Sequence, residues 1–222
     1  MIIDSQMIVL KSKMPLYEDL TIKNEPMLFN CDFRHAEKHG RQITHKFLDL
    51  LPEEFTQGPV VIDTRVHMLM PSWYPCIPGW HHDDVPRSLP NNQPNYNDTL
   101  RSKHCMALVN PAASATEFAI GEASFPEPTP TNVYKPWHNH IDKLITEQKL
   151  ILHRVKDQNL IVFNDRTWHQ GTPAVQFGWR WFGRASIYTR DGVRVERPNA
   201  RTNEVRKQVQ VYIPHNMLNN GW

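Results

Sequence analysis

"WRWFGRASIYT", residues 179–189, reads as a β-strand, because aromatic and β-branched side chains dominate it and no proline interrupts it. Alternate side chains of an extended chain share a face, so Arg180 and Arg184 fall on one side and Ser186 continues it. Two guanidinium groups turned toward an interior are costly unless an anion meets them. A small dicarboxylate would do so, since the planar Arg fork grips carboxylates through two parallel hydrogen bonds.

Outward from this strand, 60–70, 104–110, 149–155 and 159–164 have the same composition. Turn formers separate them: "PNNQPNYND" (90–98), "SFPEPTPTN" (124–132) and "KDQN" (156–159). Two stretches read as helices. In 32–51 the residues Phe33, Ala36, Ile43, Phe47 and Leu50 recur at helical spacing, with Asp32 as cap and Pro52 as stop; in 135–149 Trp137, Ile141, Leu144 and Ile145 share a face. So few helices exclude βα winding and favour an antiparallel sandwich or barrel. The loops 86–103 and 121–136 are long enough to be lids or binding loops.

Bulk properties narrow the class. A formal charge of +2 without a clustered basic face argues against a nucleic-acid partner. No apolar run reaches membrane length, and the N-terminus lacks a secretion-signal pattern. Cys31, Cys76 and Cys105 form no CxxC pair, which fits a reducing cytoplasm.

"PGWHHDDVPR" (78–87) carries the chemistry. In extended backbone either His81 with Asp83 or His82 with Asp84 would present an imidazole and a carboxylate together. A third ligand is needed. His169 in "DRTWHQGTPA", 86 residues beyond Asp83, follows the apolar strand "NLIVFN" and can stand at the rim of the same sheet. Two His and one carboxylate, with the opposite face open, form the ligand set of non-haem Fe(II) oxygenases.

These residues resemble the Fe(II)/2-oxoglutarate-dependent dioxygenases of the taurine-dioxygenase-like and phytanoyl-CoA-hydroxylase-like kind. "WHHD" (80–83) is similar to their W-H-x-D, "RWFGRAS" (180–186) to their strand with two arginines, and "SATEF" (114–118) to a segment whose threonine touches the co-substrate. The resemblance covers about 60–190. It implies a mainly β fold, a double-stranded β-helix (jelly roll, cupin-like) core with a few flanking helices, in one oxygenase domain spanning 1–222. The N-terminal helical flank would be 1–57 and the C-terminal extension 191–222.

It also selects His81, Asp83 and His169 as catalytic metal ligands for Fe(II). Arg180, Arg184 and Thr116 would hold 2-oxoglutarate: Arg180 its C5 carboxylate, Arg184 its C1 end or the substrate, although the R-x-S form at 184–186 also resembles members in which that arginine grips the co-substrate. The implied reaction consumes dioxygen, hydroxylates a small molecule or side chain, and releases succinate and CO2. Trp80, Trp168, Trp179 and Trp181 would wall the pocket.

The same residues also admit plainer roles. His81–Asp84 could be a solvated loop of Asx turns, Arg184 could pair with strand carboxylates, and Thr116 could be an ordinary strand threonine. His138 and His140, two apart on a helix, cannot share an ion. His35, His39 and His45 fall in the first helix without a ligand pattern. The competing functions are a jelly-roll ligand-binding module without redox chemistry and a Zn(II) hydrolase using the same cluster. Neither primary substrate nor oligomeric state is legible.

Overall fold

The computed structural model describes residues 1–126, 134–155, 157–197 and 203–213. The strands are β1 (Ile2–Ser5), β2 (Met7–Lys13), β3 (Met27–Phe29), β4 (Val61–Leu69), β5 (Leu100–Val109), β6 (Thr116–Ser124), β7 (Ile151–Arg154), β8 (Asn159–Asn164), β9 (Trp168–Gly171), β10 (Gly178–Arg190), β11 (Val193–Val195) and β12 (Glu204–Arg206). The helices are α1 (Asp19–Lys23), α2 (Phe33–His39), α3 (Gln42–Leu50) and α4 (Tyr134–Thr146).

From β4 onward the chain is one long antiparallel hairpin rolled up on itself. β4 pairs with β10, the stretch at His81 with β9, β5 with β8, and β6 with β7. Rolling adds β10 against β5 and β9 against β6. Two facing sheets result, ordered β4-β10-β5-β8 and His81-β9-β6-β7, which is the jelly-roll arrangement. The fold is therefore mainly β with a double-stranded β-helix core.

Period-2 alternation assigns each face. On β8, Ile161 and Phe163 point between the sheets and meet Met106, Leu108 and Phe118, while Leu160 and Val162 point outward. That outer face packs under α1 to α3 through Ile22, Ala36, Ile43 and Phe47. Trp181 lies flat on the same outer face because position 183 is glycine; a Cβ there would fall 2.1 Å from the indole. The second sheet is covered by α4, with Trp137 and Ile141 against Trp80 and Trp168.

Two expectations need correction. Residues 1–57 are not a helical flank alone. β1 extends the second sheet beside β6, β2 extends the first beside β8, and β3 pairs with β12. Their partners are remote in sequence, so no local pattern announces them. The helix expected over 32–51 is two helices. Asp32 does cap the first, accepting from the His35 amide at 2.7 Å. Gly40 then leaves helical geometry, and the buried Glu25 carboxylate accepts from the Arg41, Ile43 and Thr44 amides at 2.9–3.2 Å, starting α3 afresh. Parts of the expected loop (127–133) and of the C-terminal segment (198–202, 214–222) lie outside the described residues.

Candidate metal centre

His81 and His169 face each other as a hydrogen-bonded pair across adjacent strands: the His81 amide donates to the His169 carbonyl at 3.0 Å, and the His169 amide to the His81 carbonyl at 3.2 Å. Asp83, two residues on, returns to the same side. One ligand atom from each of His81, Asp83 and His169 lies within 4.8 Å of the others, and His169 Nε2 is 3.3 Å from Asp83 Oδ2.

The imidazoles are held in a usable tautomer. His81 Nδ1 lies 2.8 Å from the Gly79 carbonyl and His169 Nδ1 2.9 Å from the Thr167 carbonyl. A carbonyl only accepts, so each Nδ1 carries a proton and Nε2 is the ring atom left to turn toward the shared point. Burial, then the neighbouring His169, pushes the His81 pKa down to about 4, so this ring is neutral at pH 7. Burial by itself would raise the Asp83 carboxyl, but Arg184 and His169 hold it well below the usual range. Two imidazole nitrogens and one carboxylate oxygen converging on a point fit a divalent cation.

The other register does not converge. His82 stacks on Trp168 at 3.5 Å and bonds the Tyr96 hydroxyl at 2.7 Å. Asp84 accepts from Tyr188 at 2.8 Å and from Arg197 at 3.0 Å.

The arginines separate sharply. Arg184 forms ion pairs with Asp83, with Asp63 at 3.4 Å and with Asp84 at 3.8 Å. Burial opposes its charge, yet these acids raise its pKa well above the ordinary value. Its charge is thus matched by the chain's own carboxylates. Arg180 is 3% exposed; its Nε donates to the Ser114 carbonyl at 2.9 Å and an η nitrogen to the Thr116 hydroxyl at 3.4 Å. No carboxylate among the described residues pairs with it. Burial pushes its pKa down to about 10, still a cation at pH 7.

All six residues singled out in the sequence border one cavity of about 550 Å³. Its apolar wall is Met106, Phe163, Phe182 and Ile77. The expected tryptophan wall is absent: Trp80 and Trp168 pack under α4, Trp181 under α3, and Trp179 beside it. On β10 the odd positions face the helices, so Trp179 and Trp181 turn away from Arg180 and Arg184.

Sequence reading missed Arg65 and His67, which also line the cavity, as do Gln208, Val209, Gln210 and Tyr212 of the C-terminal segment. A signal existed for the first two. On β4 the residues Ile62 and Val66 point outward into the helical cluster, and Asp63, Arg65 and His67 alternate with them. The C-terminal segment reaches the cavity by an isolated bridge in which the Tyr74 amide donates to the Tyr212 carbonyl at 2.7 Å; nothing local foretells it. His138 and His140 share no ligand point: His138 accepts from the Trp80 amide, and His140 lies against the Ser124 carbonyl. All three cysteines are free, and among the described residues no helix is long and apolar enough to cross a membrane.

No protein-family profile matches the sequence, and no curated protein does. Among solved structures, EvdO2 from Micromonospora carbonacea var. aurantiaca, crystallised with 2-oxoglutarate, is similar at 9% identity and TM-score 0.40 over 80% of this chain and 71% of its own. EvdMO1 is similar at 17% identity and TM-score 0.36, over 82% of this chain and 39% of its own. Overlaps this loose transfer neither residues nor chemistry.

Proposed function

We propose that this chain is an Fe(II)- and 2-oxoglutarate-dependent oxygenase that hydroxylates a small-molecule substrate with release of succinate and CO2. The observation that carries the reading is one cavity bordered both by the His81–Asp83–His169 cluster and by Arg180, a buried cation without a counter-ion among the described residues. Ferrous iron bound at that cluster would activate dioxygen for oxidative decarboxylation of the co-substrate.

The chain's own residues supply the rest. His81 and His169 offer Nε2 lone pairs whose direction the Gly79 and Thr167 carbonyls set. Asp83 contributes an ionised oxygen, and Arg184 restrains its carboxylate from turning. Arg180 meets the C5 carboxylate of 2-oxoglutarate, and Thr116 orients the Arg180 guanidinium or bonds the same carboxylate. Phe163, Phe182 and Met106 keep that end of the cavity poor in water, which strengthens each charge-assisted bond.

The test is anaerobic addition of Fe(II) to metal-free protein followed by 2-oxoglutarate, recorded by visible absorption. A charge-transfer band is expected in the wild type, absent in Asp83→Ala and weakened in Arg180→Ala. Bound iron without a band would remove 2-oxoglutarate from the reading and leave the zinc-hydrolase or binding-module alternatives.

A further inference from the structure

Five arginines border the cavity, Arg65, Arg87, Arg180, Arg184 and Arg206, and Arg87 donates to the Asn92 carbonyl at 3.2 Å. Arg184 is matched by Asp63, Asp83 and Asp84, and Arg206 at the rim pairs with Glu204 at 3.3 Å. Under the proposed function Arg180 is matched by the C5 carboxylate, and the C1 carboxylate belongs to the metal. Arg65 remains. It is half-buried and borders the cavity, and its guanidinium has no hydrogen bond or ion pair among the described residues.

Its position follows from the sheet register. Arg65 lies opposite Phe182 and His67 opposite Arg180, so Arg65 and Arg180 are diagonal neighbours on the inner face. Arg65 lies close enough to add to the depression of the Arg180 pKa that burial begins. A like-charged, partly desolvated neighbour without an acid is a standing cost to the fold, and an anion between or beside the two relieves it. The acids of the lining, Asp83 and Asp84, are paired with Arg184; Gln208, Gln210 and Tyr212 offer amide and hydroxyl groups, and Met27 and Phe29 add apolar surface. A cavity of about 550 Å³ accommodates a small molecule beside a five-carbon dicarboxylate and is too small for a folded partner.

We infer that Arg65 is the anchor of a second anion subsite, and that the primary substrate is a small organic anion with an apolar body, its charged group on Arg65 and its body against Phe29 and Met27. The inference rests on the oxygenase reading for the occupant of Arg180, and Arg65 is a specificity residue within it.

The experiment is isothermal titration calorimetry on the full chain, loaded with Fe(II) under argon and saturated with 2-oxoglutarate. The probes are benzoate, benzenesulfonate and phenyl phosphate, with benzamide and benzyl alcohol as neutral counterparts. At least one anion binds the wild type while the neutral pair does not. Arg65→Gln weakens that anion on the order of tenfold or more, the usual worth of a charge-assisted bond, with 2-oxoglutarate affinity unchanged, and Arg65→Lys recovers part of the loss. Anions and neutral probes binding alike, no anion binding, or an equal loss of 2-oxoglutarate affinity in Arg65→Gln each overturns the inference; the last would make Arg65 part of the co-substrate site. If 2-oxoglutarate fails to bind the wild type, the oxygenase reading falls, and the same anion titrations without it still decide whether Arg65 is an anion site.

Discussion

Arg180 and Arg184 stand on one face of one strand, four residues apart, and look equivalent in sequence, yet their surroundings differ in kind. Arg184 lies where β10 is flanked by β4 and β5, opposite Asp63 on one side and Met106 on the other. The turn at Asp84, with a positive φ of 55°, brings Asp83 and Asp84 down onto the same guanidinium. Arg180 lies past the last β5 partner and opposite His67, and its hydrogen bonds among the described residues go to neutral oxygens. One arginine is neutralised by the chain's own acids; under the proposed function the other meets the co-substrate. A buried charge with its acids beside it is satisfied, whereas one facing a cavity with only neutral acceptors is a candidate binding group.

Exchanging each arginine for a hydrocarbon breaks the comparison most directly. Arg184→Leu leaves Asp63, Asp83 and Asp84 without their shared cation, and the expected cost is about 3–5 kcal/mol in urea unfolding. Arg180→Met removes a cation that has no acid among the described residues, so its unfolding midpoint is expected to stay level or rise, while 2-oxoglutarate affinity falls on the order of tenfold or more. Equal destabilisation by both changes would erase the distinction.

Acid tests both ends next, because each holds a buried histidine: His67 opposite Arg180, which burial first and Arg180 second keep well below the ordinary value, and His104 beside Arg184. His104 is fully buried between the Ser102 and Ser186 hydroxyls, at 3.0 and 2.8 Å. Burial first and Arg184 second lower its pKa from 6.5 to about 4. A depressed histidine stays neutral in the fold while the unfolded chain takes up a proton. Its contribution is therefore complete above pH 6.5 and is lost as pH falls toward 4, by on the order of 3 kcal/mol. Urea midpoints measured from pH 7 to 4 check this, and His104→Gln, which keeps an amide against the two serines, loses that part of the slope.

The smallest effect belongs to Thr116. Its hydroxyl accepts from Arg180 at a long 3.4 Å, so Thr116→Val is expected to weaken 2-oxoglutarate by about 0.5–1.5 kcal/mol, roughly two- to tenfold, with no change in metal content. A loss as large as that of Arg180→Met would mean that the threonine, not the arginine, anchors the carboxylate.

Much of the centre was legible because it is written in local periodicity. The i, i+2 spacing of His81 and Asp83, and the i, i+4 spacing of Arg180 and Arg184, follow from extended backbone alone. The same rule applied to β4 would have exposed Arg65 and His67, whose polar side chains alternate with the outward Ile62 and Val66. The tryptophans misled because composition names a residue's appetite for burial without saying on which side of the sheet it is buried. Trp179 and Trp181 occupy the opposite parity from the arginines and feed the helical core.

By itself, then, the sequence determined the β class, the two candidate His–Asp pairs and the shared face of Arg180 and Arg184, since each depends on residues close together along one strand. Only the tertiary structure decided that β1 and β2 widen both sheets, that Gln208, Val209, Gln210 and Tyr212 border the cavity, and that among the described residues Arg184 meets acids while Arg180 and Arg65 do not. Those outcomes rest on which remote segments come to lie side by side. A charge's role is set by the sum of its neighbours in space, and the rolled hairpin brings together neighbours that no local stretch of sequence contains.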